Sequence, residues 1–109
     1  MDAADFLPLA ARDLLILTVL ADAPLHGYGI IKAVESRSRS GVLLDPANLY
    51  RVLRRMREQG WIREADDSDE RRRTHAITPL GREVVRAEVE RLERLLREAR
   101  PALSRGGAG

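Results

Sequence analysis

Apolar residues fall into blocks along this chain, and their spacing changes from block to block. Positions 9–20 are almost continuously apolar, which predicts a largely buried first helix over residues 8–22 with Pro8 in its first turn. Asp22-Ala23-Pro24 ends it. A second helix is predicted after His26-Gly27, with Tyr28, Ile30, Ile31 and Val34 on one side and Lys32, Glu35, Arg37 and Arg39 largely on the other. Ser38, Ser40 and Gly41 close it. The third helix has the clearest start: Asp45 is a good N-cap, and Pro46 stands at the first helical position, where its missing N–H costs nothing. Leu49, Val52, Leu53 and Met56 then follow the spacing of a buried face, and Gly60 suits a helix terminator. Residues 61–65 and 72–77 read as two short strands around the polar turn at 66–70. Thr78-Pro79 repeats the cap-plus-proline signal and opens a fourth helix running to about Arg100, ahead of Pro101 and a Gly-rich tail.

Three helices, a two-stranded hairpin and a helix, in that order, predict a mainly α (α+β) fold: a winged helix-turn-helix with one added helix. The expected organisation is a DNA-binding domain over residues 1–78, a C-terminal dimerisation helix over 79–102 and a frayed tail over 103–109. In the last helix Val85, Val89, Leu92, Leu96 and Ala99 recur at heptad spacing among mixed charges, including Glu83, Glu88, Arg91 and Arg94. A helix of this length outreaches so small a domain, so the seam predicts a homodimer. Phe6, Leu7 and Leu9 precede the first apolar block and are expected to join that interface.

Composition sharpens this only in places. A chain of 109 residues, 44% hydrophobic and 33% charged, is one globular domain with a heavily charged surface. The apolar run at 14–20 is too short to span a bilayer, and the acidic start at Asp2 and Asp5 does not read as a secretory signal. With no cysteine there is no disulfide framework or cysteine zinc site, and a cytoplasmic location is expected. The net charge of +2 does not by itself point to nucleic acid. All 19 basic residues except Lys32 are arginine, however, a choice that suits bidentate contacts to phosphate and guanine and that a biased genome would also produce.

Position decides between those readings. Opposite the apolar stripe of the third helix lie Ala47, Arg51, Arg54 and Glu58, flanked by Asn48 and Arg55 on one side and Tyr50 and Arg57 on the other. Asn48 and Arg51, near the helix start, are the candidates for base edges. Tyr50, Arg54 and Arg55, with Lys32 on the second helix, are candidates for the backbone of double-stranded DNA. On the hairpin, Arg72 and Arg73 either lie along phosphates or pair with the acidic turn beside them. Two histidines without a phosphate loop or HExxH-type motif argue against an enzyme, a metal site or a cofactor. His26 is expected to cap or pack, and Trp61 to enter the core. A protein-binding helical module is the competing reading, supported by the modest charge and the acidic turn. RNA binding lacks an aromatic stacking platform.

Four motifs then carry a resemblance. Pro24-Leu25-His26-Gly27-Tyr28-Gly29-Ile30 resembles the PLHGYxI signature of PadR-family transcriptional regulators, and Asp45-Pro46-Ala47-Asn48-Leu49-Tyr50-Arg51-Val52-Leu53 their SPGTLYRAL helix entry. Gly60-Trp61-Ile62 and Ile77-Thr78-Pro79-Leu80-Gly81 resemble the strand start and the LTxxG opening of the last helix. The resemblance covers roughly residues 8–100. It implies a winged-helix homodimer that represses transcription from a palindromic operator, often near its own promoter. Gly29, Ala47-Asn48 and His75 depart from the pattern, the last where tyrosine is usual. The single C-terminal helix resembles the short subtype, so phenolic acids do not carry over as inducers. Some relatives bind drugs between subunits, and a small-molecule effector at the dimer interface is compatible with this chain, although no residue specifies one.

Overall fold

A computed structural model describes residues 2–65 and 73–106. A short 3-10 turn, Ala3–Phe6, leads into α1 (Ala11–Asp22), β1 (Leu25–His26), α2 (Gly27–Arg37), α3 (Pro46–Glu58), β2 (Ile62–Glu64), β3 (Thr74–Ile77) and α4 (Pro79–Gly106). The architecture is the winged helix-turn-helix that the apolar spacing predicts. The wing sheet has three strands rather than two: β3 lies between β1 and β2 and is antiparallel to both. A two-residue strand such as Leu25–His26 is too short to carry a periodicity, which is why the hairpin alone was legible.

Caps match the residues that announce them. The Asp45 carboxylate accepts the Asn48 N–H at 2.9 Å, and Pro46 fills the first helical position of α3. Gly60 takes φ +82°, the left-handed conformation that ends a helix. His26 caps α2, its Nδ1 accepting the Gly29 N–H at 3.1 Å. Thr78 caps α4: its hydroxyl donates to the Gly60 carbonyl at 2.5 Å and accepts the Gly81 N–H at 3.0 Å.

One core joins the helices and the sheet. Ile16, Leu17 and Leu20 of α1 meet Ile30 and Val34 of α2 and Leu49, Leu53 and Met56 of α3, all at or near full burial. Trp61, just ahead of β2, and Val84 of α4 close the cluster. Phe6 stands edge-on to Trp61, with ring centroids 5.2 Å apart and planes at 85°. Phe6 is therefore half-buried against the chain's own core, as are Leu7 and Leu9.

Both ends of the helical frame depart from the sequence reading. α1 begins at Ala11, not at residue 8, because Leu7 and Ala10 are extended and the chain bends at Pro8; the Leu9 N–H is spent on the Glu88 carboxylate of α4 at 2.8 Å. Glu88 is accordingly no surface charge: it is 1% exposed and also accepts from the Arg91 Nε at 2.5 Å. Those contacts, the Arg91 guanidinium foremost, hold its carboxyl below the usual glutamate range against the opposing effect of burial. At the other end, α4 passes through Pro101 and continues to Gly106. Pro101 removes one ladder bond near an exposed helix end, where water can serve the freed carbonyl. The helix thus absorbs part of the expected tail, and residues 107–109 lie outside the described set.

Gly81 fixes how α4 meets the sheet. A Cβ there would overlap the carbonyl oxygen of Trp61 and crowd Ile77 Cγ1. Gly81→Ala should therefore cost about 1–3 kcal/mol by urea denaturation, the range for overpacking a tight contact. Gly27→Ala, whose Cβ would lie an ordinary 3.7 Å from Leu49, should cost clearly less.

Candidate nucleic-acid interface

α3 is the most amphipathic helix of the domain, and its burial fixes which side chains face out. With Leu49, Val52, Leu53 and Met56 sealed in the core, Asn48, Tyr50, Arg51, Arg54 and Arg55 all stand exposed. Arg51 and Arg54 have no carboxylate partner among the described residues, so their donors are unspent. Tyr50 is 66% exposed, far more than packing would leave a tyrosine. Asn48 is partly committed: its side-chain nitrogen donates to Asp45 at 2.7 Å.

Arg55 differs from its neighbours. It donates to Asp13 of α1, a carboxylate that is 6% exposed and that also accepts from Arg12 Nε at 3.1 Å. Arg12, Asn48, Arg51, Val52 and Arg55 consequently line one open cleft of about 240 Å³ between α1 and the flank of α3. Arg12 gives no signal in the sequence, because it sits at the head of an apolar block and its neighbours arrive from residues 36 to 43 positions away.

On α2, Lys32 is exposed and lies 5.6 Å from the ring of Tyr28, which is 65% exposed. Tyr28 belongs to this outer surface, although its place among Ile30, Ile31 and Val34 reads as apolar packing. The wing is built from α3 outward: Arg57 and Arg73 both approach Glu64, at 4.0 and 3.6 Å. Arg73 is thus exposed but locally paired. Arg72 and the acidic turn lie outside the described residues. Among the described residues no three His, Asp or Glu side chains gather as they would around a metal ion, and no helix is long and apolar enough to cross a membrane.

The model of the PadR-like family of transcriptional regulators matches residues 16–87, from the core of α1 into α4. The chain belongs to that family. A protein encoded in a Streptomyces fradiae transposon is 39% identical over 82 residues, covering 75% of this chain and 23% of that protein. The chain thus spans about a quarter of the length of this curated relative. A transcriptional regulator of Clostridium thermocellum superposes with a TM-score of 0.69 at 25% identity, covering 80% of this chain and 87% of that one. A PadR-like regulator of Bacillus cereus shares the fold at 17% identity with a TM-score of 0.70, over 84% of this chain and 89% of that one. A PadR-family regulator of Clostridium difficile does so at 21% identity with a TM-score of 0.65, over 82% and 97%.

His75, the departure from the PadR pattern, lies in the middle strand of the wing between Leu25 and Glu64. It is 5% exposed, and its Nδ1 has no hydrogen-bond partner among the described residues. Burial pushes its pKa down, Arg57 and Arg73 add to this, and Glu64 opposes it. The unfolded chain takes up this proton near the ordinary histidine value of about 6.5, whereas the folded wing resists to lower pH. Between those points the unfolded state binds more protons, so stability should fall as pH drops below about 6.5. Urea melts from pH 7.5 to 5.5 should show that loss, and His75→Phe should flatten it. Glu88 acts lower, its stabilisation being present above the ordinary glutamate value and lost further into acid.

Proposed function

We propose that this PadR-like regulator is a cytoplasmic, homodimeric repressor that reads a palindromic operator, its own promoter included, by placing α3 in the major groove of double-stranded DNA. The observation that carries this reading is the outward face of α3, where Arg51 and Arg54 stand unspent beside Asn48 and Tyr50. Arg51 and Asn48, in the first turns, are the residues for base edges: arginine matches guanine O6 and N7, and asparagine matches adenine N6 and N7. Tyr50, Arg54, Arg55 and Lys32 serve the backbone, and Arg72 and Arg73 extend the contact from the wing.

The dimer reading rests on α4. Gly81, Val84 and Glu88 form the line buried against the subunit's own core. The seam of Val85, Val89, Leu92, Leu96 and Ala99 runs beside that line, only partly covered. From Glu93 to Arg105 every residue is exposed, including Leu95, Leu96 and Leu103 at 51%, 47% and 75%. A second copy on this stripe would cover them, and a two-fold axis would present two α3 helices to two half-sites. Phe6, Leu7 and Leu9 are already half-covered within the chain, Leu7 in a groove beside Ala87, Glu90, Arg91 and Arg94, away from the seam. Any small-molecule effector would sit between the subunits, with no side chain that names it.

Titration against the DNA upstream of the gene, with random duplex as competitor, tests the reading; competitor-resistant binding as a dimer is the expected result. Arg51→Ala should weaken operator binding by about 1–3 kcal/mol and relax preference at one base pair. Equal affinity for operator and random duplex at every salt concentration would remove the sequence-specific reading. Leu96→Arg, at an exposed position, should leave the subunit folded but monomeric by light scattering. A dimeric Leu96→Arg protein would move the interface off this stripe.

A further inference from the structure

The cleft between the start of α1 and the flank of α3 is strongly charged. Three guanidinium groups, from Arg12, Arg51 and Arg55, line it together with Asn48 and Val52. Like charges are held this close only where something neutralises part of them, and here the neutralising group is Asp13. Its carboxylate is buried beneath the cleft, with a side chain 8% exposed; one oxygen takes Arg12 Nε and the other takes a terminal nitrogen of Arg55. Each guanidinium has five donors, so a single bond to Asp13 leaves most of each set unspent. Arg12 and Arg55 keep side-chain exposures of 37% and 44%, so those donors face solvent. Asp13 thereby positions two arginines while hiding its own charge, and the mouth of the cleft offers donors and positive charge.

We propose that this cleft seats a backbone phosphate of DNA, with Arg12 supplying a contact from outside the helix-turn-helix. The proposal rests on the reading of α3 as the groove helix: Arg51 and Asn48 belong both to its outward face and to the cleft wall, so a strand bordering the groove passes the cleft mouth. Arginine forks match phosphate oxygens bidentately, and Asp13 holds two of them in place before the anion arrives. A contact of this kind fixes register and carries no base preference of its own.

Anisotropy titrations of the full chain with an unrelated duplex and with the operator, over a series of KCl concentrations, test the assignment. Arg12→Gln keeps an uncharged hydrogen-bonding side chain, removes the positive charge and leaves Arg55 to pair Asp13. It should weaken binding to both duplexes alike and lower the salt slope by about one unit per subunit. Arg12→Lys, which restores the charge, should recover most of that slope, and both variants should stay folded at the assay temperature by circular dichroism. A wild-type slope in Arg12→Gln, while Arg54→Ala lowers it, would overturn the cleft assignment and leave the α3 reading standing. Absence of DNA binding by the unmodified chain would overturn both. Shifts of the Arg12 Nε–H resonance with inorganic phosphate, but none with DNA, would assign the cleft to a free anion and overturn the DNA source.

Discussion

The rotation of α3 about its own axis is set by four side chains. Leu49, Val52, Leu53 and Met56 are between 0 and 5% exposed, packed on α1 and α2. Burying such a side chain is worth about 1.5–3 kcal/mol, so turning the helix enough to hide Arg51 or Arg54 would forfeit several such contributions and strand a charge in the core. No comparable force acts on the outward side chains, which are exposed and mostly unpaired. Their chemistry is therefore free to vary while their direction is not. That division lets one frame carry different base preferences, and Ala47-Asn48 in place of the usual Gly-Thr is a change of the permitted kind.

Two buried carboxylates tie the N-terminal segment into this frame. Asp13 joins the first turn of α1 to α3, and Glu88 joins the stretch before α1 to α4. A buried charge is costly unless its lone pairs are satisfied, and both groups meet that condition with arginine and, for Glu88, a backbone N–H. Neither adds much stability over an apolar pair of the same shape. Their effect is directional, since a carboxylate accepts only where donors stand, whereas Leu or Val would tolerate sliding. α1 is thus held in register with the proposed recognition helix at one end and with α4 through the segment that precedes it.

What was legible in the sequence follows from how local each signal is. α3 could be read almost to the residue because its cap, proline, apolar stripe and terminal glycine all lie within sixteen consecutive positions. The start of α1 could not, because the bond that keeps Leu9 out of the helix comes from Glu88, far along the chain. Glu88 itself reads as one of many alternating charges, and only the fold turns it inward. The heptad spacing in α4 was visible, yet the neighbouring line of Gly81, Val84 and Glu88, which docks the helix, is interrupted by a charge and a glycine and gives no apolar period. Arg12 and Tyr28 escaped for the complementary reason: each stands in a block whose local pattern speaks of packing, while the cleft around Arg12 is assembled from α3 and Tyr28 turns outward beside Lys32.

The two lines on α4 bear on how an operator would be measured. They are separated by roughly 60° around the helix, at 100° per residue, so one cannot turn without the other. The docking line is pinned by the close approach of Gly81 to Trp61 and by the Glu88 contacts, and Trp61 packs in the same core as the buried face of α3. The direction in which the seam faces is thereby fixed relative to the proposed recognition face. In a two-fold dimer, that relation sets the distance between the two α3 helices, which must match about one helical turn of DNA or a multiple. Half-site spacing is then inherited from core packing, and base preference from the exposed side chains of α3. The two properties can change independently because they are held by opposite faces of the same helix.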